Sequence, residues 1–185
     1  MATNVNEPWA ECEIDESRKE LIQCSVYEVK SLPKCPFSYW EIFDNKVEIA
    51  DLKDKQFEFI IKEDNESLVF IGLDCIYIMA HIQDCCESVR IDDICGDLED
   101  LIGSPIRIAE ELHSDKILPA KDEWDESFTW TFYKFATSKG YVDIKWYGTS
   151  NGYYSESVDL FKIDEEKFPH VRAYYMQQLQ KLQTP

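Results

Sequence analysis

The segment Phe128-Thr-Trp-Thr-Phe-Tyr-Lys-Phe-Ala-Thr137, the turn Ser138-Lys-Gly140 and the segment Tyr141-Val-Asp-Ile-Lys-Trp-Tyr147 constrain this chain most. Apolar and polar residues alternate on both sides of a short glycine-bearing turn. A period of two places alternate side chains on opposite faces of a strand, so the pattern predicts an antiparallel hairpin. Phe128, Trp130 and Phe132 share one side of the first strand, and Val142, Ile144 and Trp146 share one side of the second. A second turn at Gly148-Thr-Ser-Asn-Gly152 and alternation from Tyr153 to Phe161 extend the expectation to a three-stranded meander.

Upstream, Gln56 to Lys62 and Ser67 to Gly72 flank the acidic turn Glu63-Asp-Asn-Glu66, and read as another hairpin. Asp74 to Ile82, rich in β-branched and aromatic residues, reads as a strand. Glu87 to Ile91 reads as one more, ending at Asp92-Asp93. A strand from Leu21 to Val29 precedes these, with Pro33 and Pro36 after it. Phe37 to Leu52 has no clean period and suits either two strands or an inserted loop. Asp97 to Ile102 suits a helical turn closed by Gly103, and Pro105 to Leu112 an extended segment. Phe168, Val171 or Arg172, Tyr175, Leu179 and Leu182 recur every three to four residues behind Pro169, which suits a first helical turn. The expectation is an α+β fold, mainly antiparallel β-sheet, with a C-terminal amphipathic helix. Its parts are an acidic N-terminal extension over 1–18 with a short helix around Glu11 to Lys19, a β-rich domain over 19–163, and the helix over 164–185.

The chain has 37 acidic and 19 basic residues, a net charge of -18. Such a surface repels phosphate and anionic lipid, so no direct nucleic-acid or membrane partner is expected. It suits solubility, steering toward a basic partner, or imitation of DNA. No run of about 18 apolar residues is present, and the N-terminus lacks the basic start and apolar core of an export signal. The seven cysteines are odd in number, which suits reduced thiols in a cytosol.

The chemistry-bearing residue types gather in His81-Ile-Gln-Asp-Cys-Cys-Glu-Ser-Val89. On a regular strand His81, Gln83, Cys85 and Glu87 share one side, and Ile82, Asp84, Cys86 and Ser88 the other. Imidazole and thiolate suit zinc, with His81, Cys85 and Cys95 as weak ligand candidates, but no Cys-x-x-Cys pair is present. A bridge between the neighbours Cys85 and Cys86 is expected to be strained. Asp84 and Glu87 disfavour thiolates beside them, so cysteine catalysis is not expected. Asp97, Glu99 and Asp100 form an acidic patch without a partnering lysine or histidine motif. Ser150-Asn-Gly-Tyr-Tyr154, after Trp146 and Tyr147, combines a tight turn with aromatic rings. The binding candidates are therefore His81, Asp84, Cys85, Glu87, Asp97, Glu99, Asp100, Trp146, Asn151, Tyr153 and Tyr154. No cofactor is expected.

The run His81-x-Gln-Asp-Cys-Cys-Glu-Ser-Val89, Gly96-Asp-Leu-x-Asp-Leu-Ile-Gly-Ser104, Ser127-Phe-Thr-Trp-Thr-Phe-Tyr133 and Ser150-Asn-Gly-Tyr-Tyr-Ser-Glu-Ser-Val158 resembles an uncharacterised family of small tailed-bacteriophage proteins. The likeness covers roughly Leu21 to Leu160. It implies phage origin and a bacterial host cytoplasm, and brings no activity or site residues. The expected function is non-catalytic: an accessory protein that binds and modulates a bacterial host or defence protein. A small-ligand or metal-binding protein and an acidic DNA mimic are the alternatives.

Overall fold

The computed structural model describes residues 26–29, 38–112 and 118–183. The N-terminal extension, with the helix expected around Glu11 to Lys19, lies outside the described residues, as do Pro33, Pro36 and the side chain of Leu182. Among the described residues ten strands form two sheets. They are β1 (Val26–Val29), β2 (Lys46–Val47), β3 (Phe59–Glu63), β4 (Ser67–Ile71), β5 (Ile76–Ala80), β6 (Glu87–Cys95), β7 (Ile108–Leu112), β8 (Ser127–Ala136), β9 (Tyr141–Ser150) and β10 (Asp159–Lys162). The first sheet has the order β1-β3-β4-β5-β10-β2, and the second β6-β9-β8-β7. Every strand pairing is antiparallel except β1 with β3. The helix α1 (Pro169–Gln183) starts at Pro169, the first helical position the sequence indicates.

Alternation along each strand decides how the layers stack. Ile60, Leu68, Phe70, Tyr77, Met79 and Leu160 face the second sheet and share one core with Val89, Ile91, Tyr133, Phe135, Val142, Ile144 and Trp146. The rings of Phe70 and Phe135 meet across the sandwich with centroids 5.9 Å apart. The opposite face of the first sheet, with Ile61, Val69, Ile71, Ile78 and Phe161, packs against Phe168, Val171, Tyr175 and Leu179 of the helical segment. The arrangement is thus helix, sheet, sheet. It explains why Leu68 to Ile71 of β4 and all of β5 are unbroken apolar runs, since every residue of both strands is buried. Arg172 fastens the helix: its guanidinium grips both oxygens of Glu165 at 2.6 and 2.8 Å and donates to Gly72 O at 2.8 Å.

Three local expectations change. Residues 38–52 form 3₁₀ turns at Tyr39–Asn45 and Ile49–Leu52 around the short β2, a mixture rather than two strands. Strand β6 does not stop at Asp92-Asp93 but continues to Cys95, because the pairing with β9 shifts register between Ile91 and Asp93. That bulge absorbs Asp92 and lets the ladder resume. The meander loses its third strand: β9 runs through Ser150, and the chain after the next bend crosses to the first sheet, where Asp159 to Lys162 pair with β5 and β2.

Candidate functional site

The β8–β9 hairpin has two ends, and the candidate residues divide between them. At the Ser127 and Ser150 end, the 81–87 segment and the 150–157 loop come together. Residues 81–86 do not continue the strand, so the face-sharing expected of a regular strand fails. The chain leaves β5 at Ala80 and bends at Cys85 and Cys86, with Cys86 at a φ of 63°. Gln83 substitutes for a strand partner, donating to Val89 O at 2.8 Å and accepting from Val89 N at 3.4 Å.

His81 is buried, and both ring nitrogens are engaged. Nδ1 lies 2.7 Å from Ser157 O, which can only accept, so Nδ1 carries a proton. Nε2 lies 3.4 Å from Glu87 Oε1, which also accepts from Asp84 N at 2.6 Å. The Glu87 side chain is only 2% exposed, and its Oε2 is buried without a hydrogen-bond partner. Glu156 is a second buried carboxylate here. It accepts from the hydroxyls of Thr129 at 2.6 Å and Ser150 at 2.7 Å. Burial opposes its ionisation, but hydrogen bonds from Thr129, Ser150 and Ser127 outweigh burial and hold its pKa below the ordinary value. Gly148 permits this packing, since a Cβ there would lie 2.7 Å from Glu156 O.

The Asn-Gly turn behaves as its residue types predict. Asn151 accepts from Tyr153 N at 3.1 Å, and Gly152 supplies a φ of 80°. Tyr153 and Tyr154 meet edge to face at 5.2 Å. The Cys85 side chain, then desolvation and the charge of Asp84, push the Tyr154 phenol above its ordinary value, and a hydrogen bond with Cys85 places that side chain beside the bend. A cleft of about 320 Å³ opens alongside, with Cys86, Glu87, Trp124, Asp125, Glu126 and Asn151 among its walls. Trp124 is 80% exposed and Tyr153 85%.

Next to this cleft, sharing Asp125 and Thr149 with it, the outer face of the second sheet carries a cation–aromatic cluster. Trp130 and Tyr147 lie 4.3 Å apart. Lys145 sits 5.3 Å from the Trp130 ring and Lys121 5.6 Å. The carboxylate of the bulge residue Asp92 binds both lysines, Lys145 at 2.9 Å. Burial, and a hydrogen bond to Asp125, raise the Tyr147 phenol pKa.

The remaining candidates lie elsewhere. Asp97 caps the 3₁₀ turn Leu98–Leu101, accepting from Glu99 N at 3.0 Å, and Asp100 packs against Gly140 at the other end of the hairpin. Cys95 terminates β6 opposite Asp143, about 25 Å from Glu87 at the usual rise per strand residue. His81 and Cys85 therefore cannot share a metal with Cys95. Among the described residues no three His, Cys, Asp or Glu side chains are grouped so as to hold a metal ion. Trp146 is wholly buried between the sheets, so its place is the core rather than a binding loop. Residue-by-residue reading overlooked Trp124, Asp125, Glu126 and Glu156. The available signal was a tryptophan inside the acidic run Asp122-Glu-Trp-Asp-Glu126, and a glutamate between serines in Ser155-Glu-Ser157.

Fold and site together define a helix-backed β-sandwich with a carboxylate-lined, aromatic-rimmed cleft at one end. The chain belongs to the family of the domain of unknown function DUF7448, which matches residues 20–160. No curated protein and no solved structure matches it. The match ends inside β10, so α1 lies beyond the family segment although it covers the first sheet. None of the helices among the described residues is long and apolar enough to cross a membrane.

Proposed function

We propose that this chain is a non-catalytic phage accessory protein that binds and modulates a bacterial host protein, a defence system being one target of that kind. It works in the host cytoplasm and docks a basic surface of its partner at the Trp124–Tyr153 end of the sandwich. One observation carries this reading. Trp124, 80% exposed in the wall of the cleft, and Tyr153, 85% exposed two residues beyond its wall residue Asn151, stand near the carboxylates of Asp125 and Glu126, on a chain of net charge -18. Aromatic side chains of this kind supply much of the binding energy at protein interfaces. The surrounding carboxylates supply steering toward positive charge. A non-catalytic role is supported by His81, whose two nitrogens face Ser157 and Glu87 and leave neither for Cys85. The phage and host assignments rest on the resemblance of the sequence motifs.

The experiment is capture of a partner from host lysate on the immobilised chain, identification of that partner, and kinetics with the purified pair. Trp124→Ala combined with Tyr153→Ala is expected to weaken binding at least tenfold. Reversing Asp125 and Glu126 to lysine is expected to slow association more than it speeds dissociation, and binding to weaken with salt. Binding unchanged by all of these variants and by salt would overturn the assignment of this surface.

A further inference from the structure

We propose that Cys85 and Cys86 are a reversible redox site: a vicinal dithiol that closes to a disulfide in the presence of a low-molecular-weight disulfide such as oxidised glutathione. On a regular strand adjacent side chains point to opposite faces. Here the bend and the positive φ of Cys86 bring both sulfurs to one side, 3.0 Å apart. A disulfide needs about 2.05 Å, so the sulfurs have about 1 Å left to close. Both side chains are exposed, whereas Cys75 is buried and Cys95 half-buried.

The geometry also says what kind of disulfide results. Consecutive Cα atoms lie about 3.8 Å apart across a trans peptide, below the roughly 4.4 Å minimum usual for bridged cysteines. The bridge is therefore strained, and strained, exposed disulfides are the easily reduced ones. This pair acts as a switch rather than a staple. Its position gives the switch something to move. Cys86 and Glu87 line the cleft, Asp84 N holds Glu87 Oε1, and Tyr154 stands beside Cys85. Closing the ring locks the 84–87 bend and resets that wall.

The step balances by exchange. The Cys85 thiolate attacks one sulfur of oxidised glutathione, forming a mixed disulfide and expelling a glutathione thiolate. The Cys86 thiol, whose hydrogen bond to Cys85 is the first cause of its raised pKa, gives up its proton as its sulfur displaces the second glutathione. The chain loses two hydrogens and two electrons, and one molecule of oxidised glutathione becomes two of the thiol.

The test places the full wild-type chain in a series of glutathione buffers from reducing to oxidising, quenches with acid, and measures intact mass and the peptide containing both residues. The expected product is a peptide lighter by two hydrogens with Cys85 bridged to Cys86, restored fully by reductant. Cys86→Ser is expected to trap one glutathione on Cys85. Three results each overturn the proposal: both cysteines still reduced in the most oxidising buffer, a wild-type chain that stops at the mixed disulfide, or a bridge from either residue to another cysteine.

Discussion

The first sheet is enclosed on both faces, by the second sheet and by α1, whereas the second sheet turns one face to solvent. The enclosed sheet is apolar throughout its centre. The open sheet alternates, and its solvent face carries Lys134, Asp143, Lys145, Trp130 and Tyr147 in pairs and stacks. The enclosed sheet therefore holds the fold, and the open sheet and its end hold the groups with chemistry. Changes on the two sheets should differ in size by several kcal/mol, and that difference can be measured.

The largest effect is expected from ending the chain after Asp164. The sequence motifs end near Leu160, which suggests a core that folds without the helix. The packing argues the reverse, because Ile61, Val69, Ile71, Ile78 and Phe161 would lose their cover. Tyr175→Ala alone should cost about 3–5 kcal/mol, a large part of a typical domain's stability of about 5–15 kcal/mol. The truncated chain should be insoluble or bind a hydrophobic dye, and Tyr175→Ala should lower the urea midpoint. A truncated chain that melts like the intact one would break the comparison.

A middle effect is expected at the open sheet's end. Glu156→Gln leaves the Thr129 and Ser150 hydroxyls facing a poorer acceptor, costing about 1–3 kcal/mol at neutral pH. The sign of the pH dependence follows from the lowered pKa. The folded state favours the ionised carboxylate, so this stability is present above the unfolded pKa and lost as pH falls through the folded pKa. The gap between wild type and Glu156→Gln should narrow as the solution is acidified. Urea unfolding at several pH values checks it, and a gap constant with pH would remove the carboxylate from the account.

The smallest effect is expected from Arg90→Ala. Arg90 meets Glu66 at 2.7 Å, but both side chains are about half exposed, and such pairs contribute about 0–1 kcal/mol. A loss above about 2 kcal/mol in urea would show that the solvent face carries more of the fold than its exposure indicates.

Legibility in the sequence followed the same division. The β8–β9 hairpin was readable because residue types alternate on both sides of the Ser138-Lys-Gly140 turn. The alternation did not say which side faces inward: on β8 Tyr133 and Phe135 join the core, whereas Trp130 lies on the outer face beside Tyr147 and Lys145. The β3–β4 hairpin was readable from its acidic turn. The destination of Asp159 to Lys162 was not, because alternation says which face is apolar and not which sheet the strand joins. The site was half readable. His81, Glu87, Asn151 and Tyr153 were singled out and do gather at one end, but Trp146 was misplaced and Trp124 overlooked. A tryptophan on a strand looks the same in sequence whether its face meets a core or water.

By itself the sequence determined the alternating strands, the helix behind Pro169, the acidic surface and the clustering of His81 to Glu87. These depend on neighbours within a few residues and on summed charge. Only the tertiary structure decided that α1 covers the first sheet, that Asp92 bulges out to two lysines, and that Cys85 and Cys86 turn their sulfurs together. Each of those depends on backbone torsions and on contacts between segments far apart in the chain, and no short window of residue types carries either.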